Sequence, residues 1–213
     1  MVVTPTNNLE EFGYRTLREQ IVTGQLLPGQ KLVQEDLARQ LGVSRTPLRS
    51  AIAALEREGF VSLSPRGEAT VLEFGPRRIA DLFEIRAVLE GLTCRLIASK
   101  IERKHTAYLR SLLQSSLPEE GDTDWSAYRA ADHEFHTFLA GLIDDAFLAR
   151  QLEMLQGIMT ASFAQGLLRP PHETMAEHIE IIDALEAHDQ DRAEQAMLVH
   201  IRKTIALMRG LRS

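Results

Sequence analysis

The sequence is poor in cysteine, proline and glycine and has no long apolar segment, and each of these absences excludes a class of protein. It contains one cysteine, Cys94, so no internal disulfide can form and we expect a reducing compartment. Only 8 prolines and 13 glycines occur among 213 residues, which excludes disordered and collagen-like chains. No segment approaches the roughly 18 apolar residues that a membrane span needs, and the N-terminus lacks a secretory pattern. We therefore expect a globular cytoplasmic protein with no membrane partner.

An excess of basic charge is also missing. The chain has 24 Lys plus Arg against 30 Asp plus Glu, a formal net charge of −6. Residues 1–75 carry 8 basic and 9 acidic side chains, and residues 76–213 carry 16 and 21. Neither part therefore attracts phosphate as a whole, so any binding to nucleic acid must depend on a local cluster of cations.

The hydrophobic pattern changes near Phe74-Gly75-Pro76, which we interpret as a joint and a plausible hinge. Before it, the pattern predicts three helices, over 8–23, 34–41 and 44–58, and then two short strands, over 61–64 and 69–73. After it, the pattern predicts six helices, over 77–103, 105–116, 122–142, 145–166, 173–187 and 190–209. The sequence thus predicts a mainly α protein with two domains, 1–75 and 76–213.

Residues 35–49 follow the order helix, tight turn, helix. Gly42 is placed to end the first helix with a positive φ, and Ser44 is placed to cap the second. No acidic side chain lies between Val43 and Leu55. The exposed start of the second helix then carries Arg45, Thr46 and Arg49. A cationic helix N-terminus of this kind fits a DNA major groove, although an isolated pair of arginines is more often a solvated surface.

The two predicted strands follow directly, with Arg66 and Gly67 at the turn between them, where a cation and bare backbone can reach a phosphate. Residues 17–72 resemble the winged helix-turn-helix of the GntR family of bacterial repressors, through IVTGQLLPGQKL, LARQLGVSRTPLRSAI, LEREGFV and RGEATV. With Ser44 at the helix start, the candidate DNA-binding residues are Ser44, Arg45, Thr46, Arg49, Arg66 and Gly67.

Two positions depart from the family pattern. Ser50 stands where many relatives have Glu, which makes this helix slightly more basic. Glu35 stands where a fatty-acid-responsive relative has an Arg that contacts DNA. A DNA contact from position 35 is therefore not expected here.

Four polar side chains of the second domain are predicted to share one interior. Helical spacing places Asp132 on the inward face of its helix and His136 one turn further along. His178 and His200 fall on the inward faces of the last two predicted helices. A single histidine of this kind is usually a hydrogen-bonded core residue. One carboxylate and three imidazoles together, each needing a partner, favour a divalent metal.

Residues 80–204 resemble the FCD effector domain of the FadR subfamily, and six helices in a short chain resemble its VanR-like group. The resemblance rests on LFEIRAVLEGLTCRLIA, DHEFH, EH and IIDALEAHDQDRAEQAM. It implies an antiparallel helical bundle whose metal is held by Asp132, His136, His178 and His200. Zn²⁺ is the usual metal of this set, and Ni²⁺ or Mn²⁺ would also accept it.

The same resemblance implies a small carboxylate effector that completes the coordination of the metal. Four protein ligands leave two positions on an octahedral ion for a bidentate carboxylate or hydroxy acid. Relatives place an arginine near this carboxylate, and Arg86 matches it, with a fork that suits carboxylate geometry. An ion pair with Glu90 at i+4 is the alternative for Arg86. Tyr128 and Arg150 are further candidates for the effector pocket.

The sequence therefore predicts a homodimeric regulator, expected to be a repressor and not an enzyme, that reads a short palindromic operator. Two alternatives stay open. A metal-dependent hydrolase could use three histidines and an aspartate to activate water, although no further acid is placed as a general base. A regulator could also keep a purely structural metal and respond to a partner protein.

Overall fold

The computed structural model describes residues 5–73, 75–119, 121–162 and 169–210. Phe74 of the predicted hinge and residues 163–166 of the predicted helix 145–166 lie outside the described residues. The predicted fold class is confirmed: in the described residues, a winged helix-turn-helix precedes a bundle of six helices. None of the helices in the described ranges combines the length and the apolar character required to cross a bilayer.

The described residues form two compact units. The first contains the residues up to 75 together with 156–162, and the second contains the others. The elements of the first unit, apart from the end of one later helix, are α1 Pro5–Val22, β1 Lys31–Leu32, α2 Gln34–Leu41, α3 Arg45–Arg57, β2 Val61–Leu63 and β3 Ala69–Val71.

The three strands form an antiparallel sheet in the order β1-β3-β2. Leu63 lies opposite Ala69, so β2 and β3 form the wing on either side of the predicted turn. The sequence did not indicate β1, because two residues are too short to display the alternation typical of a strand.

The helix-turn-helix forms as its sequence predicts. Gly42 adopts a φ of 64°, a conformation that favours glycine, and its amide donates to the carbonyls of Ala38 and Arg39 in α2. Leu48, Ile52 and Leu55 form the buried face of α3. One detail differs: Ser44 occupies the N-cap of α3, but its side chain makes no capping hydrogen bond.

Within the described residues of the second unit, every regular element is a helix. The helices are α4 Pro76–Ala98, α5 Arg103–Ser116, α6 Ser126–Gly141, α7 Ala146–Ser162, α8 Pro171–Glu186 and α9 Gln190–Gly210, and the end of α7 from residue 156 belongs to the first unit. The predicted helix 77–103 is too long, because the chain leaves the helix after Ala98. Glu102 is the N-cap of α5, and its backbone N–H donates to Nδ1 of His105.

Helix α6 begins four residues later than predicted. The carboxylates of Asp122 and Asp124 accept hydrogen bonds from the amides two residues ahead of them, at 2.9 Å each. These local bonds compete with helical ones and hold the segment in a turn. Ser126 is therefore the first helical residue of α6.

Helices α4 and α9 pack antiparallel along their lengths. Arg95 near the end of α4 bonds Glu194 near the start of α9, and Glu84 near the start of α4 pairs with Arg209 near the end of α9. Gly91 packs against α9, where an added Cβ would meet Cγ of Leu198 at 3.0 Å. This packing fixes the position of α9, which carries one of the predicted metal ligands.

Candidate metal centre and nucleic-acid interface

The four predicted metal ligands meet inside the second unit. Asp132 and His136 project from α6, His178 from α8 and His200 from α9. One ligand atom from each residue lies within 4.8 Å of the others. The three imidazoles are buried, and the side chain of Asp132 is 20% exposed. Helical spacing found this set because Asp132 and His136 are one turn apart on the same face of α6.

The imidazole rings face one another across a small space. Their centroids are 4.5 Å apart for His178 and His200, 5.4 Å for His136 and His200, and 5.7 Å for His136 and His178. Each ring bonds a neighbour outside this space through Nδ1: His136 bonds Oε2 of Glu90, His178 bonds the Tyr128 hydroxyl at 3.2 Å, and His200 bonds Oε2 of Glu177 at 2.8 Å. The nitrogen left for a metal is therefore Nε2 in all three rings.

The surroundings of Nε2 of His178 indicate whether these residues could hold a metal. This atom is buried, and none of the described residues provides it with a hydrogen bond. Its nearest ionic neighbour is Oδ1 of Asp132 at 3.4 Å. A buried polar atom without a partner costs about 1–3 kcal/mol, which coordination to a cation would remove. Three imidazole nitrogens and one carboxylate oxygen form a ligand set that Zn²⁺ or Ni²⁺ accepts, so the residues fit.

The protonation states also suit metal binding. Burial lowers the pKa of His178 and of His200 below the usual value, so both rings are neutral near pH 7. Burial alone would raise the pKa of Glu90. The charges and hydrogen bonds of Arg86 and His136 outweigh this effect and lower the pKa of Glu90 to about 2.

Glu177 is a functional candidate that sequence reasoning missed. Its carboxylate accepts hydrogen bonds from Arg169 at 2.6 and 2.7 Å, from Lys203 at 2.8 Å and from His200. Burial opposes its ionisation, but these donors hold the pKa of Glu177 well below its usual range. The sequence provided little indication of this role, because the one feature that marks Glu177 is its position directly before His178.

Two of the three predicted effector residues lie beside the metal ligands. Nε of Arg86 donates to Glu90, so the alternative ion pair is present, and the Arg86 side chain is mostly buried. The hydroxyl of Tyr128 bonds Thr174 as well as His178, and burial raises the pKa of Tyr128. Arg150 is exposed on α7, and no bond among the described residues joins it to the four-residue cluster.

The predicted DNA-binding residues lie on the surface of the first unit. Those at the start of α3 and those at the wing are all exposed: Ser44, Arg45, Thr46, Arg49, Arg66 and Gly67. Gly67 has a φ of 81°, which favours glycine at this turn, and its carbonyl accepts a hydrogen bond from Gln34. A cavity of about 390 Å³ between α3 and the wing is bordered by Thr46, Arg49 and Gly67.

Glu35 forms an ion pair that the sequence did not predict. Its Oε1 lies 2.8 Å from Nη2 of Arg45, and both side chains are about two-thirds exposed. An exposed pair of this kind contributes about 0–1 kcal/mol to stability, so a phosphate can replace the carboxylate. The acidic residue at position 35 thus touches the candidate interface through Arg45.

Comparison with known proteins identifies both parts of the chain. The family described as "Bacterial regulatory proteins, gntR family" matches residues 9–71, and "FCD domain" matches residues 81–203. The Nta operon transcriptional regulator of Aminobacter aminovorans is 32% identical over 182 residues, 83% of each chain. The HTH-type transcriptional repressor RspR of Escherichia coli is 25% identical over 214 residues, 99% of this chain and 93% of that protein.

The fold has a close counterpart among solved structures. E. coli McbR/YncC superposes with a TM-score of 0.76, covering 100% of both chains at 24% identity. At that identity the likeness concerns the fold, while the two family matches together extend over most of the sequence. The chain therefore belongs to the gntR family of bacterial regulatory proteins and carries an FCD domain.

Proposed function

We propose that this chain is a cytoplasmic transcriptional repressor whose residues 1–75 bind operator DNA. Residues 76–213 bind a divalent metal with a small carboxylate effector, and also form a homodimer. The observation that carries the proposal is the convergence of Asp132 and three buried histidines in an FCD domain attached to a winged helix-turn-helix. Repression is supported by relatives that are named repressors.

DNA binding is assigned to the exposed start of α3 and to the wing. The helix N-terminus and the Ser44 and Thr46 hydroxyls suit phosphate oxygens, and Arg45 and Arg49 suit guanine or phosphate. Arg66 and Gly67 would meet the neighbouring backbone. The chain carries a net charge of −6, so these few local groups must supply the attraction.

Arg49→Ala tests this assignment. A bidentate arginine contact with a base contributes about 1–3 kcal/mol, so we expect affinity for a duplex selected with the wild-type protein to fall about 5- to 150-fold. Fluorescence anisotropy measures the affinity. Arg57→Ala is the matched control, because Arg57 is exposed at the opposite end of α3. Metal content should stay the same in both variants. Equal DNA affinity for Arg49→Ala and wild type would refute the assignment.

The metal is assigned to Asp132, His136, His178 and His200, with Zn²⁺ as the first choice and Ni²⁺ or Mn²⁺ as alternatives. When bound, it would supply a Lewis-acidic centre for a carboxylate oxygen. Asp132 is the most exposed member of the set, with a side chain that is 20% exposed. Arg86 and Tyr128, beside the ligands, are proposed to contact the effector, and Arg150 stays a third candidate.

His178→Ala removes a ligand and should leave the purified protein with little metal, whereas wild type holds about one ion per chain by elemental analysis. A chelator should lower the melting temperature of wild type but not of this variant, since only ions bound to the folded state stabilise it. His172→Ala is the matched control, because His172 is exposed on the same helix. Full metal occupancy in His178→Ala would contradict the assignment.

Titration with small carboxylic acids separates the effector role from the two alternatives. An acid that raises the melting temperature and changes DNA affinity only in the metal-loaded protein supports an effector site. If no acid acts while the chelator still destabilises the protein, the metal is purely structural. A chelator-sensitive hydrolytic activity would favour the hydrolase, which membership of a regulator family opposes.

The homodimer is assigned to an apolar stripe on α4, whose residues are 37–54% exposed: Ile85, Val88, Leu92 and Leu96. We take a second copy of this chain as the occupant because the flanking charges are self-complementary. Asp81 precedes the stripe by four residues. Lys100, which lies just past the end of α4 and pairs with the exposed Asp144, follows it by four, so antiparallel pairing about a twofold axis would bring Asp81 of one copy towards Lys100 of the other.

Val88→Asp should convert the dimer into a monomer, because it introduces an unpaired charge into the centre of the stripe. Light scattering on the eluting protein measures the mass. Phe147→Asp is the control, since Phe147 is more exposed than any stripe residue but belongs to α7. The assignment of the stripe fails if both variants keep the mass of a dimer.

A further inference from the structure

Two carboxylates lie outside the cluster and contact its imidazoles: Glu90 is buried, and the side chain of Glu177 is 11% exposed. Glu90 bonds Nδ1 of His136, and Glu177 bonds Nδ1 of His200. We propose that Glu177 is a positioning residue for the metal centre, which fixes the ring of His200 with Nε2 directed at the metal. This inference rests on the proposed metal site and adds to it the residues that determine its affinity.

The hydrogen bonds of Glu177 account for its whole accepting capacity. Oε2 receives bonds from Nη1 of Arg169 at 2.7 Å and from Nδ1 of His200 at 2.8 Å. Oε1 receives bonds from Nη2 of Arg169 at 2.6 Å and from Nζ of Lys203 at 2.8 Å. A carboxylate has about four lone-pair sites, so no site remains for a metal. Glu177 can therefore influence a metal only through His200.

The bond to Glu177 also selects the tautomer of His200. A carboxylate accepts hydrogen bonds and donates none, so the proton of the neutral ring resides on Nδ1. Nε2 then carries the lone pair that a metal requires. The same bond fixes the rotation of the ring about its side chain, which reduces the entropy lost when a metal binds.

Arg169 and Lys203 also bond Glu177 and hold it in place. Arg169 is buried, and its fork matches both oxygens of the carboxylate. This arrangement neutralises the charge that Glu177 brings into the interior. If Glu177 served only as the ion-pair partner of Arg169, it would not need to contact a histidine. Oε2 of Glu177 nevertheless accepts hydrogen bonds from both Arg169 and His200.

The first carboxylate repeats this arrangement at a second ligand. Oε2 of Glu90 bonds His136, while Oε1 accepts from Arg86. The order arginine, carboxylate, imidazole thus occurs twice around one cluster, on different helices. Partners of this kind behind a histidine ligand typically change metal affinity about 10- to 100-fold. We expect a loss of that size when Glu177 is replaced.

The experiment compares Glu177→Ala and Glu177→Gln with wild type in the full-length protein. Zn²⁺ affinity is measured by competition with a chromophoric chelator, and the Co²⁺ protein gives a visible spectrum that reports ligand geometry. We expect Glu177→Ala to lose about 10- to 100-fold in Zn²⁺ affinity, with an altered Co²⁺ spectrum. Glu177→Gln should recover part of the loss, because an amide oxygen still accepts from Nδ1.

Glu173→Gln is the matched control. Glu173 is 3.5 Å from Arg169 and mostly exposed, and the described residues include no bond between it and His200. It should keep wild-type affinity and spectrum. If Glu177 serves only to pair with Arg169, its variants will melt at lower temperature but bind Zn²⁺ and Co²⁺ as wild type does, which overturns the inference.

The outcome also distinguishes this inference from the proposed function. Wild-type protein that binds neither ion refutes the metal centre and the inference together. Wild-type binding with unchanged affinity and spectrum in the Glu177 variants refutes only the positioning role. If Glu177→Ala fails to fold, as judged by circular dichroism, Glu177→Gln decides: it must show a weaker affinity than Glu173→Gln for the inference to stand.

Discussion

Three imidazoles lie close together in the interior of the second unit. Each neutral ring needs an acceptor for its N–H and a partner for the lone pair of its other nitrogen. His136, His178 and His200 come from three helices, and each bonds a neighbour through Nδ1. Nε2 of His178 is left without a hydrogen bond among the described residues. Three imidazoles would be costly to bury in a purely apolar core. Their arrangement on α6, α8 and α9 is consistent with a cation bound between them.

Periodicity along single helices predicted much of the structure. Asp132 and His136 are one turn apart, and Gly42 ends α2 in a conformation that favours glycine, so local spacing was enough for both. Spacing says nothing about how separate helices are aligned along one another. The bond between Glu90 and His136 joins α4 to α6, and that between Glu177 and His200 joins α8 to α9. Both depend on packing between helices, as does the pair of Glu35 with Arg45.

Charged side chains are arranged differently in the two units. The candidate DNA surface presents a few cations on a chain of net charge −6, and Glu35 already neutralises one of them, Arg45. Weak general attraction to phosphate makes binding depend on matched local contacts, which favours discrimination among sequences over tight binding to any duplex. In the second unit, Arg86 and Arg169 instead have side chains that are mostly buried, and each balances the charge of a carboxylate.

The missing side chain at Gly91 lets the backbones of α4 and α9 approach closely, with Leu198 filling the space above it. Tightly packed helices do not slide independently, because interiors resist compression. The two helices should therefore move together. Helix α9 carries His200, and α4 carries both Glu90 and, on its outer side, the apolar stripe. A displacement of His200 would therefore be shared by α4, whose outer side carries the apolar stripe.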